Sequence, residues 1–302
     1  MKHVLAGVFA CLFAAILFAC GSGKKTEEAA FEASLDSSNN AQAAIDDELI
    51  ESILQQIPSP LEISVLLKQS GRKYDHTMLN SPDNLSKYNN NYKMALNLGV
   101  YGTDLGYTNI YEQNQDGIKY LEPIEKLAEG LNIGQFFEIE TIGRLAANSK
   151  NLDSLLLLTT KNFNDINMYL STQSRANLSV LLLTGGWLEA MNITCQLSAK
   201  DPSNKVLQET IGEQQIVLEQ IVLLLKFYES DENMASLLTD LTNLQTAFEK
   251  IKITTVYKAP TSKVVNGVVV VQDNSSTTVD ITPEDVNNIM KITSEIRSKI
   301  IS

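Results

Sequence analysis

Hydrophobic residues across positions 41–251 recur every three or four residues, the spacing of one buried helical face. Over 41–57 the stripe is Ala44, Ile45, Leu49, Ile53, Leu54 and Ile57, and Pro58-Ser59-Pro60 closes it. Ile63, Leu66 and Leu67 predict a short helix over 61–69, and the polar stretch 72–80, which holds His76, predicts a loop. Ser81-Pro82-Asp83 predicts a helix start, with Ser81 as cap and proline in the first turn. The helix runs to about Gln113, with a break at 89–91 allowed by three successive asparagines. A turn at 114–117 leads to amphipathic helices over 118–131, 135–148 and 152–170. In the last of these, Leu157 and Leu158 widen the apolar face and predict burial on two sides. Further stripes predict helices from Leu207 to about Tyr228 and from Met234 to Ile251.

The centre of this pattern is 173–200, where Leu178, Leu181, Leu182, Gly185, Leu188 and Cys195 recur at helical spacing before Asp201-Pro202. A segment this apolar predicts a buried helix around which the others pack. Gly185-Gly186 stands in its middle, and the 81–113 helix carries Gly99, Gly102 and Gly106 beside a face of Met94, Leu98, Tyr101 and Leu105. Each interior glycine costs a helix about 1 kcal/mol against alanine, so close approach of a neighbour is the simplest compensation. The two glycine-bearing helices are therefore expected to pair, with these five glycines as packing positions.

The pattern changes at Ile253. Residues 253–257 and 264–271 are rich in β-branched side chains, separated at Ala259-Pro260-Thr261-Ser262, and 277–280 adds another extended piece. Thr282-Pro283-Glu284-Asp285 then opens a last helix with Val286, Ile289, Ile292, Ile296 and Ile300 on its buried side. The predicted fold is mainly all-α: an irregular antiparallel multi-helix bundle with a small C-terminal β-hairpin and terminal helix. Its divisions are 1–19, 20–40, 41–251 as helical body, and 252–302 packed back on that body.

The N-terminus changes the picture of location. Val4 to Ala19 is almost wholly apolar and ends in Leu17-Phe18-Ala19-Cys20, followed by Gly21-Ser22-Gly23. This resembles a lipoprotein signal peptide with its lipobox, which implies cleavage before Cys20 and lipid on that cysteine. Gly21 after the cysteine matches sorting to the outer membrane, on either its periplasmic or its outer face. Residues 20–40 form a tether too poor in hydrophobes to repay ordering. Charge narrows the partners: the net charge of −12 offers no basic stripe for nucleic acid, and none is expected. With Cys20 lipidated, Cys195 is the remaining thiol of the processed chain, so no internal disulfide forms.

Candidate chemistry is sparse. After cleavage before Cys20, which removes His3, His76 is the one histidine left, and Cys195 sits on a buried stripe; no metal site and no cofactor are expected. The glycines lack the order and the strand context of a phosphate loop. An alternative to packing is that they thin a helix so that a ligand approaches its backbone. Tyr101, Asp104, Tyr107, Trp187 and Glu189 then form a candidate ligand pocket, with Tyr111 and Arg175 nearby; rim residues and internal salt bridges are the plainer account. Paired carboxylates also suggest glycoside chemistry, without support from sugar-binding motifs.

The stretches 98–107, 178–189 and 281–297 together resemble a group of helical lipoproteins of the Bacteroidetes with no established activity. The resemblance implies an envelope location and a mostly helical fold, and it transfers no catalytic residue. The resulting expectation is a lipid-anchored cell-envelope protein that binds or organises an envelope partner without catalysis. The alternative is a small-molecule or glycan-binding lipoprotein; a glycan-acting enzyme using Asp104 and Glu189 ranks below both.

Overall fold

The computed structural model describes residues 49–50, 52–54, 57, 73–147, 152–265, 268–272 and 274–302. The expectations for the signal segment, Cys20, the tether and the 61–69 helix lie outside these residues. The described residues belong to one compact unit, Asp46–Ser302.

Two short 3-10 turns, His76–Met78 and Pro82–Lys87, precede α1 (Asn91–Ile110). There follow α2 (Asn114–Ile118), α3 (Leu121–Gly130), α4 (Ile139–Ala146), α5 (Leu152–Thr172), α6 (Ala176–Ala199), α7 (Lys205–Lys226) and α8 (Glu232–Phe248). Four strands, β1 (Lys252–Val256), β2 (Thr261–Val265), β3 (Val268–Gln272) and β4 (Ser276–Asp280), lead to α9 (Pro283–Ile301). The architecture is mainly all-α, as the helical periodicity predicts.

The α6 helix is the axis of the molecule. Every residue from Leu178 to Cys195 is buried, because α1, α9, α7 and α5 all pack on it. It has the length and hydropathy of a membrane span, yet the whole apolar window is enclosed by protein. Cys195 is inside this core, where burial pushes its thiol up to about 12. The α8 helix packs across α7 and α9, and α3 lies on the far side of α1.

Several local expectations change. Ser81 caps as predicted, accepting from the Asp83 N–H at 3.3 Å, but what it opens is a 3-10 turn. The long helix starts only after Asn90, whose Oδ1 accepts from the Lys93 N–H at 2.9 Å. The break falls before Asn91 because the Asn90 side chain takes a backbone N–H of the first turn and so caps the helix there. The stretch 72–80 is more than a polar loop: it contains the His76–Met78 turn and ends in Asn80, which is buried. Residues 114–117 open α2 instead of forming an isolated turn, and α3 begins at Leu121, leaving Ile118 exposed. Leu157 is 75% exposed, so the two-sided burial expected there does not hold. In the first helix Leu49 is exposed and Ile50 takes its place in the core.

The strands form a nested hairpin. β1 pairs antiparallel with β4, and β2 with β3, in register from Lys252↔Asp280 to Val265↔Val268. β2 ends at Val265 and β3 starts at Val268, so the inner strand pair lies within the β-branched run, and Thr261 and Ser262, expected in the separator 259–262, open β2. Asn-Gly between alternating hydrophobics is a strong hairpin signal, whereas Ala259 and Pro260 lie between the outer and inner strand pairs. β4 rests on α7, where a Cβ at Gly212 would meet Val279 Cγ1 at 2.4 Å. α9 starts with a complete capping box between Thr282 and Asp285, a device worth about 1 kcal/mol.

Candidate functional site

The glycines separate into two roles. A Cβ on Gly99 would stand 2.0 Å from the Leu182 carbonyl oxygen and 2.6 Å from the Gly186 nitrogen. On the opposing helix, a Cβ on Gly185 would stand 2.0 Å from the Leu96 carbonyl oxygen. The backbones of α1 and α6 therefore touch through Gly99, Gly185 and Gly186, and the Thr103 hydroxyl reaches across to the Gly186 carbonyl at 3.1 Å. Gly102 differs: a Cβ there would meet nothing within 4 Å. It lines a cavity, as do Gly106 and Gly99.

The close approach brings Asp104 and Glu189 together, both fully buried. Glu189 is held by Arg297 of α9 through both carboxylate oxygens, with Oε1 2.6 Å from Nη2 and Oε2 bonded to Nε. The same guanidinium donates to the Met78 carbonyl at 3.1 Å. Burial opposes the charge on Arg297, but the neighbouring Glu189 carboxylate overrides it and holds the guanidinium protonated above its ordinary range. Asp104 accepts at Oδ2 from the Asn80 N–H at 3.2 Å, while its Oδ1 has no donor. Burial first, and the Glu189 charge second, raise Asp104 well above the carboxylate range, against the pull of Arg297. Glu189 is within hydrogen-bonding reach of Asp104. With its carboxyl raised, Asp104 holds its proton, and the cluster becomes one cation, Arg297, facing one anion.

The remaining candidates are spent on packing. The Tyr101 hydroxyl donates to the Ser81 carbonyl at 2.9 Å. Tyr107 stacks on Tyr74 with ring centroids 5.4 Å apart, also touches Tyr111, and its hydroxyl accepts from the Asp75 N–H. Trp187 turns away toward α7, donating to Gln214 Oε1 at 3.0 Å. Arg175 caps the end of α3 through the Leu131 carbonyl at 3.0 Å. The five pocket candidates are all fully buried, and none borders the cavity that lies on the other side of α1. Two carboxyl groups in hydrogen-bonding reach leave no room between them for a glycosidic bond.

That cavity is half-enclosed, with a volume of about 100 Å³. Its walls include Gly102 and Gly106 of α1, Ile124 of α3, Ile142 of α4, Phe163 of α5 and Leu182 of α6. Among the described residues no lining residue is ionisable; Thr159 and Asn162 of α5 are the polar members. The Thr159 hydroxyl bonds the Leu155 carbonyl at 2.8 Å. Asn162 is only 8% exposed, and its Nδ2 has no acceptor.

Arg297, Asn80 and Asn162 are the residues that sequence reasoning missed. Arg297 follows Ile296 on the buried stripe of α9, an arginine where an apolar neighbour is expected. Leu155, Thr159, Asn162 and Ile166 recur at intervals of three and four, so two polar residues interrupt one buried face; that interruption was a readable signal. Asn80 carried none. Comparison with protein-family models, with curated proteins and with solved structures found no match to this chain.

Proposed function

We propose that this protein is a non-catalytic, lipid-anchored binding protein of the cell envelope that captures a small apolar molecule in the cavity between α1 and α5. The observation that carries the reading is the open space at Gly102: a glycine that costs helix stability, has no neighbour to accommodate, and lines an apolar cavity. The anchor at Cys20 and the outer-membrane address rest on the lipobox-like Leu17-Phe18-Ala19-Cys20. A catalytic role for Asp104 and Glu189 finds no support in their burial, since substrate has no path to either.

Photolabelling tests the binding. The full chain in phosphatidylcholine vesicles is irradiated with a medium-chain alkyl diazirine that carries no other polar group. Label is expected on the peptides around Gly102 and Phe163, and Gly102→Leu, which fills the cavity, is expected to remove it without lowering the melting temperature. Labelling scattered over the chain and indifferent to Gly102→Leu defeats the reading.

A further inference from the structure

We infer that β3 is a docking edge for a second copy of this chain, and that two copies join by pairing β3 with β3 about a two-fold axis. The inference goes beyond the binding reading and does not depend on the cavity. Each of the four strands has a single partner strand, so among the described residues each leaves one backbone edge open. Open edges invite a further strand, and charged side chains along them are the usual deterrent. β1 carries Lys252, β2 carries Lys263 and β4 carries Asp280. β3, Val268-Val269-Val270-Val271-Gln272, carries no charge, no proline and no glycine.

The inner hairpin has little support from the helical body. No helix packs substantially on β2 or β3 among the described residues, and every residue from Val256 to Lys263 is exposed. A two-stranded hairpin without a third strand or a helix against it is marginal in water, and valine suits a half-buried pleated surface. A second β3 supplies both the third strand and the cover. The strand is complementary to itself: antiparallel pairing centred on Val270 sets Val270 against Val270 of the second copy, Val269 against Val271 and Val268 against Gln272. No like charges then stand opposite one another. Lys263 on the far strand deters addition of further hairpins, so the assembly closes at two. Five paired residues a side bury much less than the roughly 1,200 Å² of a stable interface. The dimer is therefore weak in dilute solution and forms where chains are crowded on one membrane.

Disulfide trapping tests this on the full chain in phosphatidylcholine vesicles under mild oxidation. Paired Cα atoms of an antiparallel ladder lie about 4.5–5.5 Å apart, within disulfide reach, and residues two positions out of register lie about 7–8 Å apart, beyond it. Val270→Cys alone is expected to give a covalent dimer well above the background from the parent's own cysteines. Val269→Cys and Val271→Cys should each give little alone, and a dimer when the two chains are mixed. Adding Val269→Lys to Val270→Cys should return the dimer to the parent level. Thr278→Cys, at an exposed position of β4, measures chance collision. The pairing is overturned if Val270→Cys links no better than Thr278→Cys, if the three β3 cysteines link alike, or if Val269→Lys leaves the link intact.

Discussion

Asp104, Glu189 and Arg297 come from three helices far apart in sequence, and their charges are settled only by each other. Asp104 binds its proton more tightly in the folded chain than in the unfolded one, since burial and the Glu189 charge raise it. Between the ordinary carboxyl range and that raised value, the folded chain carries one more proton than the unfolded chain. This contribution to stability is therefore full at low pH and is lost as pH rises through the window. Asp104→Asn keeps an acceptor for the Asn80 N–H and a donor toward Glu189, and it does not titrate. Denaturant unfolding at pH 5 and pH 8 should show the parent losing stability relative to the variant, by at most about 1.4 kcal/mol per pH unit; equal slopes would remove the protonated Asp104. Arg297→Met has the opposite sign at every pH where Glu189 is ionised. It strands a fully buried carboxylate, and a loss of about 3–5 kcal/mol is expected in the same measurement.

At the scale of elements, the contact between α1 and α6 depends on residues that lack side chains. Alanine at Gly99 or Gly185 places a methyl group 2.0 Å from a backbone oxygen, so the helices must separate. Overpacking of this kind costs about 1–3 kcal/mol or more. Alanine at Gly102 meets nothing and recovers helix propensity, a gain of about 1 kcal/mol. Thermal unfolding of the three variants should therefore rank Gly102→Ala above the parent and the other two well below it. A Gly102→Ala variant as damaged as Gly185→Ala would mean that the space beside Gly102 is filled. The contrast has a functional side under the binding proposal: Gly99 and Gly185 fasten the two helices, whereas Gly102 has no neighbour to accommodate and leaves the cavity open.

For the whole molecule, α9 closes the body by supplying the counterion of α6. The Asn97 side chain donates to the Ile300 carbonyl at 3.0 Å, and the Tyr88 hydroxyl to the Ile301 carbonyl at 3.3 Å, so the end of the chain is bonded to α1 and the turn before it. The segment 252–302 was expected to pack back on the helical body, and its helix packs on the central α6. Location rests on a separate feature. Under the lipoprotein proposal, cells fed an alkynyl fatty acid should label the full chain at Cys20. Cys20→Ser should abolish the label and release the protein from the membrane fraction. Retention of the label in Cys20→Ser would place the lipid elsewhere or refute the anchor.

The hydrophobic pattern alone determined the helical class, the central helix, its pairing with the other glycine-bearing helix, and the cap that opens α9. The helical class, the central helix and the cap follow from residues within a few turns of one another, because helical periodicity and capping are local physics; the pairing follows from the cost of interior glycines in two separate helices. Local signals also misled where they compete: the β-branched run 264–271 reads as one strand until Asn266-Gly267 is weighed against it. The division of the glycines was not local, because whether Gly102 faces a neighbour or a void depends on where α3, α4 and α5 come to rest. Nor was the fate of the carboxylates, since Asp104 and Glu189 read as pocket acids until Arg297 arrives from more than 100 positions away. Packing alone decides which side of α1 is solid and which is hollow, because desolvation and Coulomb attraction act through space and leave no period in the sequence.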